Sequence, residues 1–224
     1  MIFAASLMSF AGDAAAFVDL GISQDGRTYA FAEYGKTDKA FQGYAEIYTV
    51  DIEKNDFVDG EVFRTNPSNA TSSKSGKAVF EDLYEKASWK LRKYDFKPAP
   101  VDNLLYVRDD TKEGESEIVF KDFEGSTTEQ EVYYHIKLAK TVFGSGENLR
   151  SSFFITMEKK DGEGNVISRN IVGSPDIKRK KVTDYRIDRI FSDKTRRNLV
   201  FVVEKTLSDV NGSSIRYMVE TIRM

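Results

Sequence analysis

Residues 17–35 read FVDLGISQDGRTYAFAEYG, and this stretch decides the fold class. Two apolar, aromatic-rich segments flank the turn sequence SQDG at residues 23–26, where Ser and Asp side chains bind nearby backbone and Gly accepts a positive φ. The pattern is typical of a strand, a tight turn and a second strand. Residues 44–52 and 57–64 predict two more strands, so we expect an N-terminal β-meander over residues 17–64.

The hydrophobic period changes after a polar loop at residues 65–77. Apolar side chains then recur three and four positions apart, which predicts one long amphipathic helix over about residues 77–96, with Ser75 as its N-cap. Pro98 and Pro100 stop the helix, because proline lacks the N–H donor that the next turn needs. The predicted apolar face consists of Phe80, Leu83, Tyr84, Ala87, Leu91 and Tyr94.

Strand patterns return after the helix and continue over residues 103–223. Residues 161–165 (DGEGN) resemble a partial calcium loop but lack its closing Glu, so a hairpin turn is favoured. The charged residues 176–181 are interpreted as a solvated connector. We therefore predict one mainly-β domain over residues 12–224. It is an antiparallel β-sandwich, or a set of propeller-blade-like meanders, with the helix inserted.

The sequence pattern at one end of the domain recurs at the other end, and we call these two stretches the echoing segments. A shift of 169 residues places Val18–Ile52 over Ile187–Thr221, and it aligns Asp with Asp, Ser with Ser and Tyr with Tyr at several positions. Both segments predict a strand, a polar turn, a strand, a loop and a strand. Two interpretations stay open: an internal duplication, and two ordinary β-meanders that share a common pattern.

The first residues predict export. Met1–Ala11 is apolar and rich in small residues, and Ser9 and Ala11 stand at the −3 and −1 positions of a candidate cleavage before Gly12. The apolar run is far shorter than the ~20 residues of a membrane-spanning helix. A basic segment is missing, which leaves open both an upstream start and a buried N-terminal strand or short helix. We expect residues 1–11 to be a signal-peptide remnant, and the mature protein to be periplasmic or secreted without a transmembrane segment.

Composition excludes several chemistries. The 224 residues include no cysteine and one histidine, which removes thiolate nucleophiles, disulfides and multi-histidine metal sites within one chain. The 33 basic and 36 acidic side chains give a net charge of −3, so no overall field favours nucleic acid. We expect no cofactor, no metal and no nucleic-acid partner.

Three residues are candidates for an interaction surface, and none is assigned a catalytic role. Trp89 lies off the main apolar stripe of the predicted helix, which leaves open an exposed ring that contacts a partner and a ring packed under a loop or against a sheet edge. Tyr133 and His135 share the polar face of the strand predicted over residues 131–143. No nucleophile motif accompanies the histidine, so a solvated or hydrogen-bonded surface histidine is favoured over a catalytic one.

The stretch from Gly12 to Thr65 resembles a family of predicted secreted bacterial proteins of unknown function, of the spirochaete type. Its turn sequence SQDGRTYAF is also similar to blades of TolB-type periplasmic propellers. The family resemblance implies export and brings no reaction, cofactor or catalytic residue. We therefore expect a non-catalytic periplasmic binding or protein-interaction module, whose partner is an unknown envelope protein or a small ligand.

An alternative is a carboxylate-dependent hydrolase that acts on envelope polymers. Its discriminating feature is a deep cleft that holds two close carboxylates, one of them with a raised pKa.

Overall fold

The computed structural model describes residues 13–111, 117–209 and 212–224. Within these ranges, twelve strands form three antiparallel sheets of four strands each, and one α-helix accompanies them. The mainly-β prediction is therefore confirmed. The predicted signal-peptide remnant lies outside the described residues. No helix in the described ranges is long and apolar enough to cross a membrane.

The elements are β1 (Ala16–Ile22), β2 (Thr28–Lys36), β3 (Gly43–Asp51), β4 (Asp56–Thr65), α1 (Gly76–Leu91), β5 (Leu104–Val107), β6 (Ile118–Lys121), β7 (Val132–Phe143), β8 (Arg150–Asp161), β9 (Val166–Lys180), β10 (Val182–Ser192), β11 (Asn198–Asp209) and β12 (Gly212–Arg223).

The first sheet has the order β1-β2-β3-β4, which follows the predicted meander strand by strand. The middle sheet has the order β12-β11-β10-β5, and the third sheet has the order β6-β7-β8-β9. The third sheet is thus inserted in sequence between two neighbouring strands of the middle sheet.

The three sheets stack face to face, and the helix covers one outer side. Phe31 of the first sheet and Val200 of the middle sheet lie in one buried cluster. Phe201, the next residue, faces the opposite way and packs with Ile155 of the third sheet. Successive side chains of a strand point to opposite faces, so the middle sheet is buried on both sides. Leu83 of α1 closes the outer face of the first sheet.

The echoing segments occupy matching positions in two sheets. The shift of 169 residues carries β1, β2 and β3 onto β10, β11 and β12. Phe31 and its equivalent Val200 lie in the same inter-sheet cluster, as do Val50 and its equivalent Val219. The equivalent faces of the first and middle sheets therefore meet, which is the packing of a β-sandwich. In a propeller, by contrast, one face of each blade packs against the opposite face of the next blade. Whether a duplication produced the two meanders stays a prediction.

The helix follows its sequence signals closely. The Ser75 Oγ accepts a hydrogen bond from the Ala78 N–H at 3.1 Å, as predicted for the N-cap. The α-helix continues to Leu91 and passes into a single 3₁₀ turn. Asp95 then adopts a left-handed conformation with φ 47°, so the helical segment stops slightly before the predicted end.

The interpretation of residues 176–181 as a connector is wrong. The edge strand β9 runs as far as Lys180, and its register shifts between Ser174 and Arg179 before pairing with β8 resumes. A strand is recognised in a sequence by the alternation of apolar and polar side chains. Both faces of this segment carry polar side chains, so the sequence lacks that alternation. Residues 161–165 form the predicted hairpin turn between β8 and β9.

Candidate functional site

A cleft of about 360 Å³ opens where two hairpin turns meet. The turns join β1 to β2 and β10 to β11, so the cleft lies at matching ends of the two echoing meanders. Residues 95–100, which follow the helix, form the remaining wall. We call this space the hairpin cleft. Its central residues are Ile22, Asp25, Pro98, Asp193, Arg197 and Asn198.

The first turn is closed by its own side chains. The Ser23 Oγ donates to the Asp25 carboxylate at 2.6 Å and accepts from the Thr28 N–H at 2.9 Å. The hydrogen bond from Ser23, followed by that from the Arg27 N–H, lowers the pKa of Asp25. The Asp25 carboxylate is therefore ionised at neutral pH and already engaged in the turn.

The second turn uses one aspartate in the same way. The Asp193 carboxylate accepts hydrogen bonds from the Thr195 hydroxyl at 2.6 Å and from the Arg197 N–H at 2.9 Å. The Asn198 N–H adds a third bond at 3.0 Å. The Asp193 side chain is buried and serves as an internal acceptor, so it is unavailable as a general base.

Asn198 joins the two turns, and one buried polar atom of its side chain has no hydrogen-bond partner among the described residues. Its Nδ2 donates to the Gly26 carbonyl at 2.8 Å and to the Asp193 carboxylate at 3.2 Å. Both partners are acceptors, so the orientation of the amide is fixed. The residue is 4% exposed, and its Oδ1 has no hydrogen-bond partner among the described residues. This oxygen is buried away from solvent, and a buried acceptor left unpaired costs the fold about 1–3 kcal/mol.

The wall opposite Asn198 is apolar and rigid. Ile22 and Lys97 exchange two backbone hydrogen bonds of 3.0 and 3.1 Å, which hold the segment after the helix against the edge of β1. Gly21 has φ 109°, and a Cβ there would lie 2.0 Å from the Lys97 carbonyl carbon. Only glycine permits this approach. Pro98 and Pro100, which end the predicted helix, line the same wall.

The uncommitted charges at the rim are positive. Lys97 pairs with Asp95 at 3.0 Å, and Arg223 pairs with a glutamate outside the cleft. Lys194 and Arg197 have no ion pair in the described part of the chain. The two turn aspartates, in contrast, accept hydrogen bonds within their own turns. The lining comprises four cationic and three anionic side chains, in a chain of net negative charge. The cleft therefore favours an anionic group.

A second cleft, of about 240 Å³, lies on the other side of the β10–β11 turn. Its polar centre is the Lys159 Nζ, which lies 2.8 Å from the Asp122 carboxylate. Burial raises the pKa of Asp122, but hydrogen bonds from Lys159 and the Gly125 N–H outweigh it and leave the pKa lowered. The pKa of Lys159 is raised, because its bonds to Asp122 and Tyr134 exceed the effect of burial. Both groups stay charged at neutral pH, which defines an ion pair and not an acid–base couple.

The candidate interaction residues lie far apart. Trp89 is 69% exposed on α1, outside the first sheet. His135, with its Nδ1 3.0 Å from the Glu117 carboxylate, and Tyr133 lie on the outer face of the third sheet, beyond the middle sheet. The structure therefore does not bring these residues into one surface, and none of them lines the hairpin cleft. A role in partner contact stays a prediction for each.

A close carboxylate pair occurs away from both clefts. Glu33 of β2 stands directly opposite Glu46 of β3. Burial raises the pKa of Glu33, and its carboxylate accepts the Tyr217 N–H at 2.6 Å. Glu33 is 2% exposed, and neither glutamate lines the hairpin cleft or the second cleft. Glu33 therefore has the raised pKa expected of a general acid, but the pair lies outside both clefts.

Asn198 and Arg197 are not among the residues that the sequence predicts for a site. One signal was available: the shift of 169 residues places Asn198 at the position of Tyr29, a fully buried aromatic side chain. A polar residue in a core position is informative, because buried polar groups need partners.

The fold and the site together define a mainly-β sandwich protein with a preformed cleft at its hairpin turns. The sequence model of the family described as "Predicted secreted protein (DUF2259)" matches residues 30–223. The chain belongs to this family, which confirms the resemblance and the predicted export. Comparison with curated proteins found no match. The signal peptide and the periplasmic location stay predictions.

Proposed function

We propose that this secreted protein is a non-catalytic binding protein of the periplasm or the extracellular space, and that the hairpin cleft is its ligand site. The observation that carries the proposal is the lining of the cleft, where an apolar wall stands beside Lys194 and Arg197, which have no ion pair among the described residues. Small-ligand sites combine an apolar wall with a few polar groups that converge on it. The hairpin cleft has both components.

The state of the acidic groups favours binding over catalysis. A general acid or base must be within reach of the substrate and free to exchange a proton. Asp25 and Asp193 are held by turn hydrogen bonds, and Asp122 is held by Lys159. Glu33 is buried, and Glu46 pairs with Arg64 at 3.2 Å. Each of these described carboxylates is engaged by the fold, which favours the binding proposal over the hydrolase alternative.

A protein-interaction role through Trp89, or through Tyr133 and His135, is compatible with the same proposal. An envelope protein is the expected partner of such a surface, and the cleft and the surface would act independently. The exposed Trp89 ring is the better of the two candidates, because tryptophan is enriched at interface hot spots.

Fragment screening by NMR tests the cleft directly. The labelled protein is exposed to mixtures of small acids, amides, peptides and sugars, and we expect perturbation of the Asn198 side-chain amide resonances. Gln24→Trp places a large ring at the mouth of the cleft and abolishes this response. Glu163→Trp, a matched change in the exposed β8–β9 turn, leaves the response intact. A screen without cleft-specific responses, or with hits that Gln24→Trp does not affect, contradicts the proposal.

A further inference from the structure

We infer that the C-terminal half of α1 is a docking surface for a membrane that carries anionic lipids. The surface lies outside the hairpin cleft, so the inference goes beyond the proposed function. One partner must match two features at once: a protruding aromatic ring and the cluster of cations around it. The interface of an anionic bilayer matches both, because it carries negative charge at the headgroups and an apolar layer directly beneath them.

Trp89 stands at the outermost point of the helix. The side of α1 that packs on the first sheet includes Leu83, Ala87 and Leu91. Trp89 lies two residues from both Ala87 and Leu91, which places it about 160° from each around the helix axis. Its ring is 69% exposed and lines neither the hairpin cleft nor the second cleft. The ring therefore projects from a convex face, where it can enter a soft surface.

Basic side chains are concentrated around this ring. Residues 86–97 carry five basic side chains and one acidic side chain, in a chain whose net charge is −3. Lys86, Arg92 and Lys93 lie three or four positions from Trp89, the spacing at which helical side chains are neighbours. All three are exposed. A positive surface therefore surrounds the ring on a molecule that is otherwise acidic, and this charge complements that of an anionic bilayer.

Contacts with the first sheet hold this surface in place. The Lys90 Nζ donates to the Gly60 carbonyl at 2.8 Å and lies 5.5 Å from the centre of the Trp89 ring. The Lys93 Nζ pairs with the buried Glu61 carboxylate at 2.6 Å. Gly60 and Glu61 belong to β4, the edge strand of the first sheet. The basic end of the helix is therefore preformed and does not need to fold on binding.

The chemistry of this surface favours a bilayer over an acidic protein. Tryptophan is enriched at membrane interfaces, because its amphipathic ring suits the boundary between headgroups and acyl chains. Four of the five cations are lysines, whose flexible stems can follow lipid charges that move laterally. A protein partner would need a pocket shaped for the protruding ring, whereas a bilayer admits the ring without one.

Acidic side chains of the helix determine the orientation. Glu81, Asp82 and Glu85 all lie in the first ten residues of α1, and an anionic surface repels them. We therefore expect α1 to approach the membrane with its C-terminal end and not to lie flat on it.

Tryptophan fluorescence tests the inference without a label, because Trp89 is the only tryptophan of the chain. Vesicles of phosphatidylglycerol and phosphatidylcholine in equal amounts are titrated into the intact protein. We expect a blue shift of the emission, quenching by lipids brominated near the headgroup end of the acyl chains, and weaker binding at high salt. Vesicles of phosphatidylcholine alone should bind at least about tenfold more weakly.

Charge-reversal variants locate the cations. Lys86→Glu combined with Arg92→Glu is expected to lower partitioning into the anionic vesicles at least about tenfold. Lys178→Glu combined with Lys180→Glu makes the same change on exposed positions of β9 and leaves partitioning unchanged. Thermal unfolding checks that each variant is folded.

A truncation pair locates the ring, with vesicle co-sedimentation as the readout. Trp89→Ala is expected to lower partitioning at least about fivefold. Phe123→Ala removes a similarly exposed ring that also lies beside a lysine, and it leaves partitioning unchanged.

Several outcomes would overturn the inference. They are equal binding to both kinds of vesicle, a blue shift that brominated lipids do not quench, and partitioning that survives the changes at Lys86 and Arg92. Poly-glutamate in place of vesicles represents an acidic protein partner, and a spectral change with poly-glutamate but not with vesicles also overturns it. The vesicle comparison uses the unaltered protein, so it decides the matter even if a variant fails to fold. The fragment screen of the hairpin cleft is independent of all these results.

Discussion

The two clefts that flank the β10–β11 turn differ in how their charged groups are paired. In the second cleft, the Lys159 Nζ lies 2.8 Å from the Asp122 carboxylate. In the hairpin cleft, Lys194 and Arg197 have no ion pair among the described residues. Charges that pair with one another stabilise the fold, whereas unpaired charges beside a cleft are available to a ligand. Pairing of the charged groups, more than cleft volume, distinguishes the two sites.

The largest expected effect comes from breaking the wall of the hairpin cleft. Gly21→Ala combines a φ of 109° with a Cβ 2.0 Å from the Lys97 backbone, so the segment after the helix must move. We expect the free energy of unfolding to fall by about 3 kcal/mol or more in urea titrations, with loss of ligand binding. In Gly162→Ala the nearest atom, the Glu131 carbonyl oxygen, lies 3.9 Å from the added Cβ, so the change is within about 0.5 kcal/mol. Equal losses in both variants would show that the wall is not specially constrained.

Breaking the ion pair of the second cleft has the next largest effect. Lys159→Met leaves the largely buried Asp122 carboxylate without its cation, and we expect a loss of about 1–3 kcal/mol in the free energy of unfolding. Lys121→Met removes a more exposed partner of Glu131 and costs less than about 1 kcal/mol. Ligand affinity at the hairpin cleft stays unchanged in both variants. A change in affinity with Lys159→Met would mean that the two clefts are coupled.

The smallest effect is a pH dependence of stability that Asp122 of the second cleft contributes. The folded-state pKa of Asp122 is lowered, so its contribution is present above the ordinary Asp pKa of about 4 and disappears as the pH falls through the lowered value. The stability difference between the wild type and Asp122→Asn should therefore shrink between about pH 5 and about pH 2. Glu33 has a raised pKa and the opposite sign, but its contribution cancels in this difference. A difference that is constant with pH would contradict the ion-pair description.

Local signals predicted the local structure well. The meander from β1 to β4, the helix and its Ser75 cap each depend on neighbouring residues, and each is present. The pairing of β5 with β10 is different, because a whole sheet separates the two strands in sequence. No periodicity encodes such a partner.

The candidate site was not predictable for the same reason. The environment of Asn198 depends on its contact with the Gly26 carbonyl, which lies 172 positions earlier in the chain. The role of Gly21 likewise requires knowledge that the Lys97 backbone approaches it. Sequence spacing indicates turns, but it does not indicate which turns meet.

The position of the first described residues has a consequence for folding kinetics. The Ala15 N–H donates to the Ile215 carbonyl of β12, and the Ile215 N–H donates to the Asp13 carbonyl. The Asp13 carboxylate also pairs with Arg216. Contacts between residues so distant in sequence give a high contact order, which slows folding. A chain that crosses a membrane unfolded and N-terminus first cannot close its middle sheet until β10 to β12 have emerged. Closure of the middle sheet would then wait for β12, whose contacts with Asp13 and Ala15 also hold the first described residues in place.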